Sequence, residues 1–158
     1  MVAIWTSVVA VGGTLLGAVV THLFQRLAAA RTERFARSEA LRQERTSTYS
    51  AFASAAEEYR HGQAGRWYRG ARGGDGRAAE AFVEARDEAH RLRTAARQAL
   101  YRVKLLTDDP EVVRAAERAY ERTRDVSTAG DQETHDVLHA EAREAIEEFI
   151  TRAAPLTR

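Results

Sequence analysis

The sequence predicts an all-α protein in which an N-terminal transmembrane helix continues into an antiparallel three- to four-helix bundle or coiled coil. Three observations predict this fold class. Residues that favour helices dominate the composition, with 31 alanines among 158 residues. Neither glycine nor proline occurs from Ala18 to His61. No stretch shows the polar–apolar alternation that is typical of a strand.

The expected segments follow the chain in order. They are a transmembrane helix at 2–24, a juxtamembrane stalk with the first bundle helix at 25–61, a loop rich in glycine and arginine at 62–76, and the remaining bundle helices at 77–106, 110–127 and 131–154. The 158 residues therefore form one anchor and one helical domain of ordinary size.

The N-terminal run is the strongest feature of the sequence. Residues 2–24 contain no Asp, Glu, Lys or Arg, although 30% of the whole chain is charged. A helix of this length extends about 35 Å at ~1.5 Å per residue, which is sufficient to cross a bilayer core of about 30 Å. A cleaved signal peptide is the alternative, but the run is longer than a usual h-region and basic residues follow it rather than precede it. We therefore expect an uncleaved anchor.

The flanking arginines predict the orientation of this anchor. They follow the span and none precedes it, so the positive-inside rule places the N-terminus outside the cell and the bundle in the cytoplasm. The expected location is the cell membrane, crossed once. The arginines expected near the lipid head groups are Arg26, Arg31, Arg34 and Arg37.

A ridge of small residues lies within the predicted span. Gly13 and Gly17 form a G-x-x-x-G pattern, and Thr21 extends it by another turn. Such ridges allow two helix backbones to approach closely in lipid. We therefore expect the protein to form a homo-oligomer through these three residues.

The remaining helices are predicted from periodicity and from their boundary signals. Apolar residues recur every three or four positions from Phe82 to Leu106, as in a coiled coil. Aspartate followed by Pro110 is typical of a helix start, and Gly130 and Asp131 mark the last turn. Residues 91–104 carry five basic side chains and no acidic one, so we expect this half of the second helix to return toward the membrane.

The segment 62–76 holds six of the ten glycines and predicts a loop. It leaves three interpretations open. Trp67 and Tyr68 pack onto the end of the bundle, or the loop binds a protein partner, since Trp, Tyr and Arg are the usual interface hot spots, or it binds nucleic acid through arginines and stacked rings. The candidate partner residues are Arg66, Trp67, Tyr68, Arg69 and Arg72.

Catalytic and metal-binding patterns are weak. His135 and His139 have the spacing of the H-E-x-x-H zinc motif, but Asp136 replaces the glutamate and no third ligand is identifiable. The chain has no cysteine, which excludes thiolate ligands and a cysteine nucleophile.

The net charge of +1 argues against nucleic acid as a partner. We expect no enzyme activity, no metal and no cofactor, and the expected partners are membrane lipid, a second copy and an unknown cytoplasmic protein.

Two segments carry a family resemblance. GTLLGAVVTHLFQR at 13–26 and YRVKLLTDDPEVVRAAERAY at 101–120 resemble a family of small Streptomyces membrane proteins labelled kilB. The resemblance implies a membrane-anchored helical protein with a role in plasmid spread, and it supplies no catalytic residues. Because the resemblance implies lethality when the plasmid-encoded founder of that family is uncontrolled, a membrane-active toxic protein that oligomerises through its transmembrane helix is the alternative.

Overall fold

The computed structural model describes the backbone of residues 2–71 and 76–158 and the side chains of residues 32–71 and 76–158. Its helices are α1 (Val2–Ala71), α2 (Arg77–Leu106), α3 (Pro110–Asp125) and α4 (Gln132–Ala153), with 3-10 turns at Val126–Thr128 and Ala154–Thr157. Within these ranges the chain forms no strand, and the predicted all-α class is confirmed.

The chain divides into two compact units, Met1–Leu41 and Arg42–Arg158. In the first unit the backbone is helical from Val2 onward. The side chains of the predicted span 2–24, of its ridge Gly13, Gly17 and Thr21, and of Arg26 and Arg31 lie outside those that the structure describes. Arg34 and Arg37 are described, and both are exposed.

Membrane spanning is a separate question from helicity. Among the described residues, no helix combines the length and the apolar character that crossing a bilayer requires. The transmembrane helix therefore stays a prediction from the sequence.

The second unit is an up-down-up-down arrangement of the latter part of α1 with α2, α3 and α4. Contacts between α1 and α4 run in opposite directions along the two helices, since Phe52 contacts Phe149 and Arg60 contacts His139. α3 and α4 are likewise antiparallel, as ion pairs between them show. Arg118 pairs with Glu148.

The core of this unit combines a few large side chains with many alanines. Phe52 and Phe149 are fully buried and meet edge to face with ring centroids 4.8 Å apart. Tyr49 also meets Phe149 edge to face, with ring centroids 6.0 Å apart. Around them the helices approach closely through small residues. The alanines buried in this cluster are Ala56, Ala115, Ala116, Ala119 and Ala153.

The predicted loop at 62–76 is wrong in its first ten residues, because α1 continues to Ala71. Two glycines of this segment, Gly62 and Gly70, allow close packing instead of a turn. A Cβ on Gly62 would lie 2.5 Å from Leu92 Cδ1 of α2, and one on Gly70 would lie 3.1 Å from the ring of Phe82. A positive φ of 61° occurs at Gly76, immediately before α2.

Both later helices begin with an aspartate cap. Asp109 accepts hydrogen bonds from the backbone N–H groups of Glu111 (2.9 Å) and Val112 (3.4 Å), and Pro110 occupies the first turn. At the start of α4, the Asp131 carboxylate accepts from the N–H of Thr134 at 2.8 Å. That hydrogen bond lowers the pKa of Asp131.

Candidate functional site

The end of α1 meets the beginning of α4 in a row of aromatic rings. Trp67 stacks on His135 with centroids 4.2 Å apart and an interplanar angle of 24°. His135 stacks in turn on His139 at 5.7 Å and 18°, and His61 lies 6.5 Å from His139. Tyr68 meets His135 edge to face at 4.9 Å. These five residues are called the histidine–aromatic stack.

Trp67 links α1 to the connection before α4 by a hydrogen bond. Its indole N–H donates to the carbonyl oxygen of Ala129 at 2.8 Å, and its ring is half-buried. Tyr68 is 42% exposed, and its hydroxyl accepts from the Gln132 amide at 3.3 Å. The placement of Trp67 agrees with the interpretation in which this residue packs onto the bundle end.

His135 occupies the centre of the stack and is 2% exposed. Its Nδ1 lies 3.3 Å from the Asp136 carboxylate. Its Nε2 has no hydrogen-bond partner in the described part of the chain. A buried polar atom without a partner is destabilising, whereas the stacked rings of Trp67 and His139 make favourable contacts with His135.

His139 is held by an arginine that reaches across from α1. Nη1 of Arg60 donates to His139 Nε2 at 2.5 Å, while the same guanidinium donates to the Glu57 carboxylate at 2.6 Å. Burial, and after it the charge of Arg60, lowers the pKa of His139. The imidazole is therefore neutral near pH 7, which is the form that accepts a hydrogen bond from a guanidinium.

Within residues 32–71 and 76–158, no group of three or more His, Asp or Glu side chains is placed to hold a metal ion. His135 and His139 lie one helical turn apart, as the sequence predicts, and their rings stack face to face.

The predicted partner residues do not form one surface among the residues that the structure describes. Arg69 is exposed, and Arg72 lies outside the described residues. Arg66 lines a cleft between α1, α2 and the end of α3, together with Arg86, Arg93 and Arg124. This arginine cleft has a volume of about 530 Å³. Sequence reasoning missed it because its four arginines lie on three helices.

The fold and the site define an all-α helical-bundle protein whose first and last helices are joined by a histidine–aromatic stack. More specifically, the chain belongs to the family of KilB plasmid transfer proteins, whose family model matches residues 46–157. The match covers nearly all of the second unit, Arg42–Arg158, and makes the chain a plasmid-transfer-related protein. No curated protein and no solved structure matches this chain.

Proposed function

We propose that the chain is a non-enzymatic, single-pass protein of the cell membrane that presents its helical unit to a protein partner in the cytoplasm during plasmid transfer. One observation carries this proposal. A single helix, α1, contains both the uncharged run 2–24 and the first helix of the region matched by the family. A helix with no charged side chain over its first 23 residues satisfies its own backbone hydrogen bonds and is favoured in lipid.

The proposed orientation rests on charge. Basic residues follow the uncharged run and none precedes it, so the positive-inside rule places the helical unit in the cytoplasm. Arg34 and Arg37 are exposed and available to anionic head groups, each adding about 1 kcal/mol of attraction near such a surface.

The non-enzymatic part of the proposal is supported by what the polar groups of the site do. Arg60, His139 and Trp67 use their donors and acceptors to connect helices. Groups committed in this way hold the fold in place. A binding role needs only an exposed surface beside them.

An exposed apolar pair on α2 is the surface that we propose for the protein partner. Tyr101 and Leu105 lie one helical turn apart and are 53% and 88% exposed. Arg97 and Arg102 are exposed beside them. Exposed apolar side chains flanked by arginine are typical of protein interfaces.

Fractionation of cells tests the anchor. The full chain is expected in the membrane fraction, resistant to carbonate extraction, and protected from protease added to whole cells. In inverted vesicles the same protease should digest the helical unit. A matched chain lacking residues 2–24 should move to the soluble fraction, whereas an intact chain in the soluble fraction would contradict the anchor.

Plasmid transfer tests the partner surface. Leu105→Glu should leave the helical content unchanged, since this side chain is 88% exposed, and should lower transfer frequency. Val83→Glu is the matched control, because Val83 is an exposed apolar residue elsewhere on α2. Equal transfer by both variants would exclude this surface.

Truncation distinguishes the alternative, a membrane-active toxic protein. If deleting residues 26–158 leaves overexpression lethal, the toxicity belongs to the span and the alternative is supported. If lethality disappears, the helical unit is required, as our proposal expects.

A further inference from the structure

The arginine cleft brings four positively charged side chains of the second unit together. Four guanidinium groups from three helices line it, from Arg66 of α1, Arg86 and Arg93 of α2, and Arg124 of α3. Its volume of about 530 Å³ is within the range of about 300–1,000 Å³ that is common for small-molecule sites.

The cations of the cleft are poorly matched by acids. Among the described residues, Asp87 is the one carboxylate in the lining, and it lies 3.7 Å from Arg86. Arg124 pairs with Asp125 at 3.0 Å. Arg93 donates to the hydroxyl of Tyr120, and Arg66 forms no ion pair within the described ranges. The cleft therefore has a surplus of positive charge.

Three other cations of the second unit pair with acids on a neighbouring helix. Lys104 contacts Glu117 at 2.6 Å, Arg118 contacts Glu148 at 2.8 Å, and Arg122 contacts Glu141 at 3.0 Å. The chain has 23 acidic residues available for such pairs. Neighbouring guanidinium groups repel one another unless an anion lies between them, so the excess of four arginines over one carboxylate in the cleft lining indicates a site for an anion from outside the chain.

Neutral donors complete the cleft. Tyr59 forms part of its wall, and burial, followed by the effect of Tyr120, raises the pKa of Tyr59 to about 12 despite the opposing charges of nearby arginines. The phenol is therefore protonated and can donate a hydrogen bond. Ser127 accepts from the Gln63 amide at 3.0 Å, which leaves its own O–H free to donate toward the cleft.

We propose that the arginine cleft binds a small phosphate-bearing molecule with at least two negative charges, such as the pyrophosphate group of a nucleotide. Guanidinium groups match the geometry and charge of phosphate oxygens with two parallel hydrogen bonds. Hydroxyl donors at the wall supply further contacts to oxygens that the arginines do not reach. This inference goes beyond the proposed membrane role and does not depend on the anchor.

A small anion fits better than a nucleic-acid duplex. The arginines converge in a cleft with walls from three helices, whereas a duplex requires cations spread along an exposed surface. The whole chain, at a net charge of +1, also lacks the excess of basic residues that is typical of duplex-binding proteins.

Calorimetric titration of the full chain in a non-ionic detergent tests the proposal, with inorganic pyrophosphate and ATP as probes. Saturable binding of pyrophosphate is expected. Arg66→Gln should weaken it about tenfold, the typical contribution of one charge-assisted hydrogen bond. Arg143→Gln is the matched control, because it makes the same charge change on an exposed residue of α4 that lies outside the cleft lining. It should leave the affinity unchanged.

A second variant and a competitor make the outcome decisive. Arg86→Gln, at a guanidinium that is 57% exposed, should also weaken binding without affecting the fold. Equal affinities for pyrophosphate and ATP would show that the cleft recognises only the phosphate groups. Tighter binding of ATP would show that it also contacts the nucleoside. The proposal is overturned if neither probe saturates, if Arg143→Gln weakens binding as much as Arg66→Gln, or if a short DNA duplex binds more tightly and pyrophosphate does not displace it.

Discussion

Trp67 connects the end of α1 to the residues before α4 through one hydrogen bond and one stacked ring. Trp67→Ala removes both and leaves the Ala129 carbonyl without its donor. Because the ring is half-buried, we expect a loss of roughly 2–4 kcal/mol in the free energy of unfolding. Urea unfolding followed by circular dichroism measures this loss.

Two further variants control the Trp67 prediction. Trp67→Phe keeps a ring against His135 and should lose about half as much as the alanine variant. Tyr68→Ala changes a side chain that is 42% exposed and should lose less than about 1 kcal/mol. Unchanged stability of Trp67→Ala would show that this residue is free to act at an interface.

His139 gives the second unit a pH dependence. In the unfolded chain its pKa is near the ordinary value of about 6.5, whereas burial and the charge of Arg60 lower the pKa in the folded state. The unfolded chain therefore takes up the proton at higher pH than the folded chain. The contribution of the neutral His139 to the free energy of unfolding is fully present above about pH 6.5 and is lost as the pH falls through the lowered pKa.

Replacement of the imidazole tests this pH dependence. His139→Gln keeps an acceptor for Arg60 and removes the titrating group, so its stability should change less than that of the parent chain between about pH 6.5 and 5. Thermal unfolding at several pH values provides the measurement. Parallel curves for both proteins in this window would assign the dependence to another group.

The stack itself shows a limit of sequence reasoning at this scale. The spacing of His135 and His139 was readable and indicated two rings on one helical face. What the rings contact depends on the register between α1 and α4, where Arg60 and His139 are separated by 79 positions. No local sequence pattern encodes that register. The spacing of His135 and His139 is therefore compatible both with a metal site and with stacked rings, and the sequence alone does not distinguish them.

At the scale of the helices, the glycines of α1 provide a matched pair. A Cβ on Gly65 meets nothing within 4 Å, whereas one on Gly62 lies 2.5 Å from Leu92 Cδ1. Gly65→Ala should therefore stabilise the protein by about 0.5–1 kcal/mol through helix propensity alone. Gly62→Ala should gain less, because Leu92 must change its rotamer.

Urea midpoints of the two glycine variants, compared with the parent chain, measure the difference. The ranking matters more than either value, because both substitutions change helix propensity equally. If Gly62→Ala stabilised the protein as much as Gly65→Ala, α1 and α2 would not approach closely at this position.

Helix starts were easier to predict than the end of α1. Asp109 with Pro110, and Asp131 after Gly130, satisfy backbone groups locally, and the structure shows both caps. Glycine is ambiguous, since it serves both turns and close helix packing. At Gly62 and Gly70 the close approach of α2 favours helix packing over a turn. The sequence of α1 alone does not show that α2 lies beside it.

At the scale of the whole chain, the two resembling segments differ in what supports them. The segment 101–120 lies within the region matched by the family, 46–157, and the segment 13–26 lies before it. The family therefore accounts for the helical unit. The N-terminal run depends on its own physical chemistry, which is the absence of charge over a length that fits a bilayer.

Self-association through the N-terminal run is the prediction that connects the two parts. Gly13→Ile with Gly17→Ile places bulky side chains on the proposed ridge, so two helix backbones can no longer approach closely. In a membrane reporter of helix association, the signal should fall to that of a non-associating span. Leu15→Ile with Val19→Ile changes two residues off the ridge and should retain the signal. Equal signals from both double variants would exclude the ridge. A loss confined to the glycine variant would support self-association of the parent chain through the ridge. Such association brings two helical units together at one membrane surface, which raises their effective concentration for a shared partner.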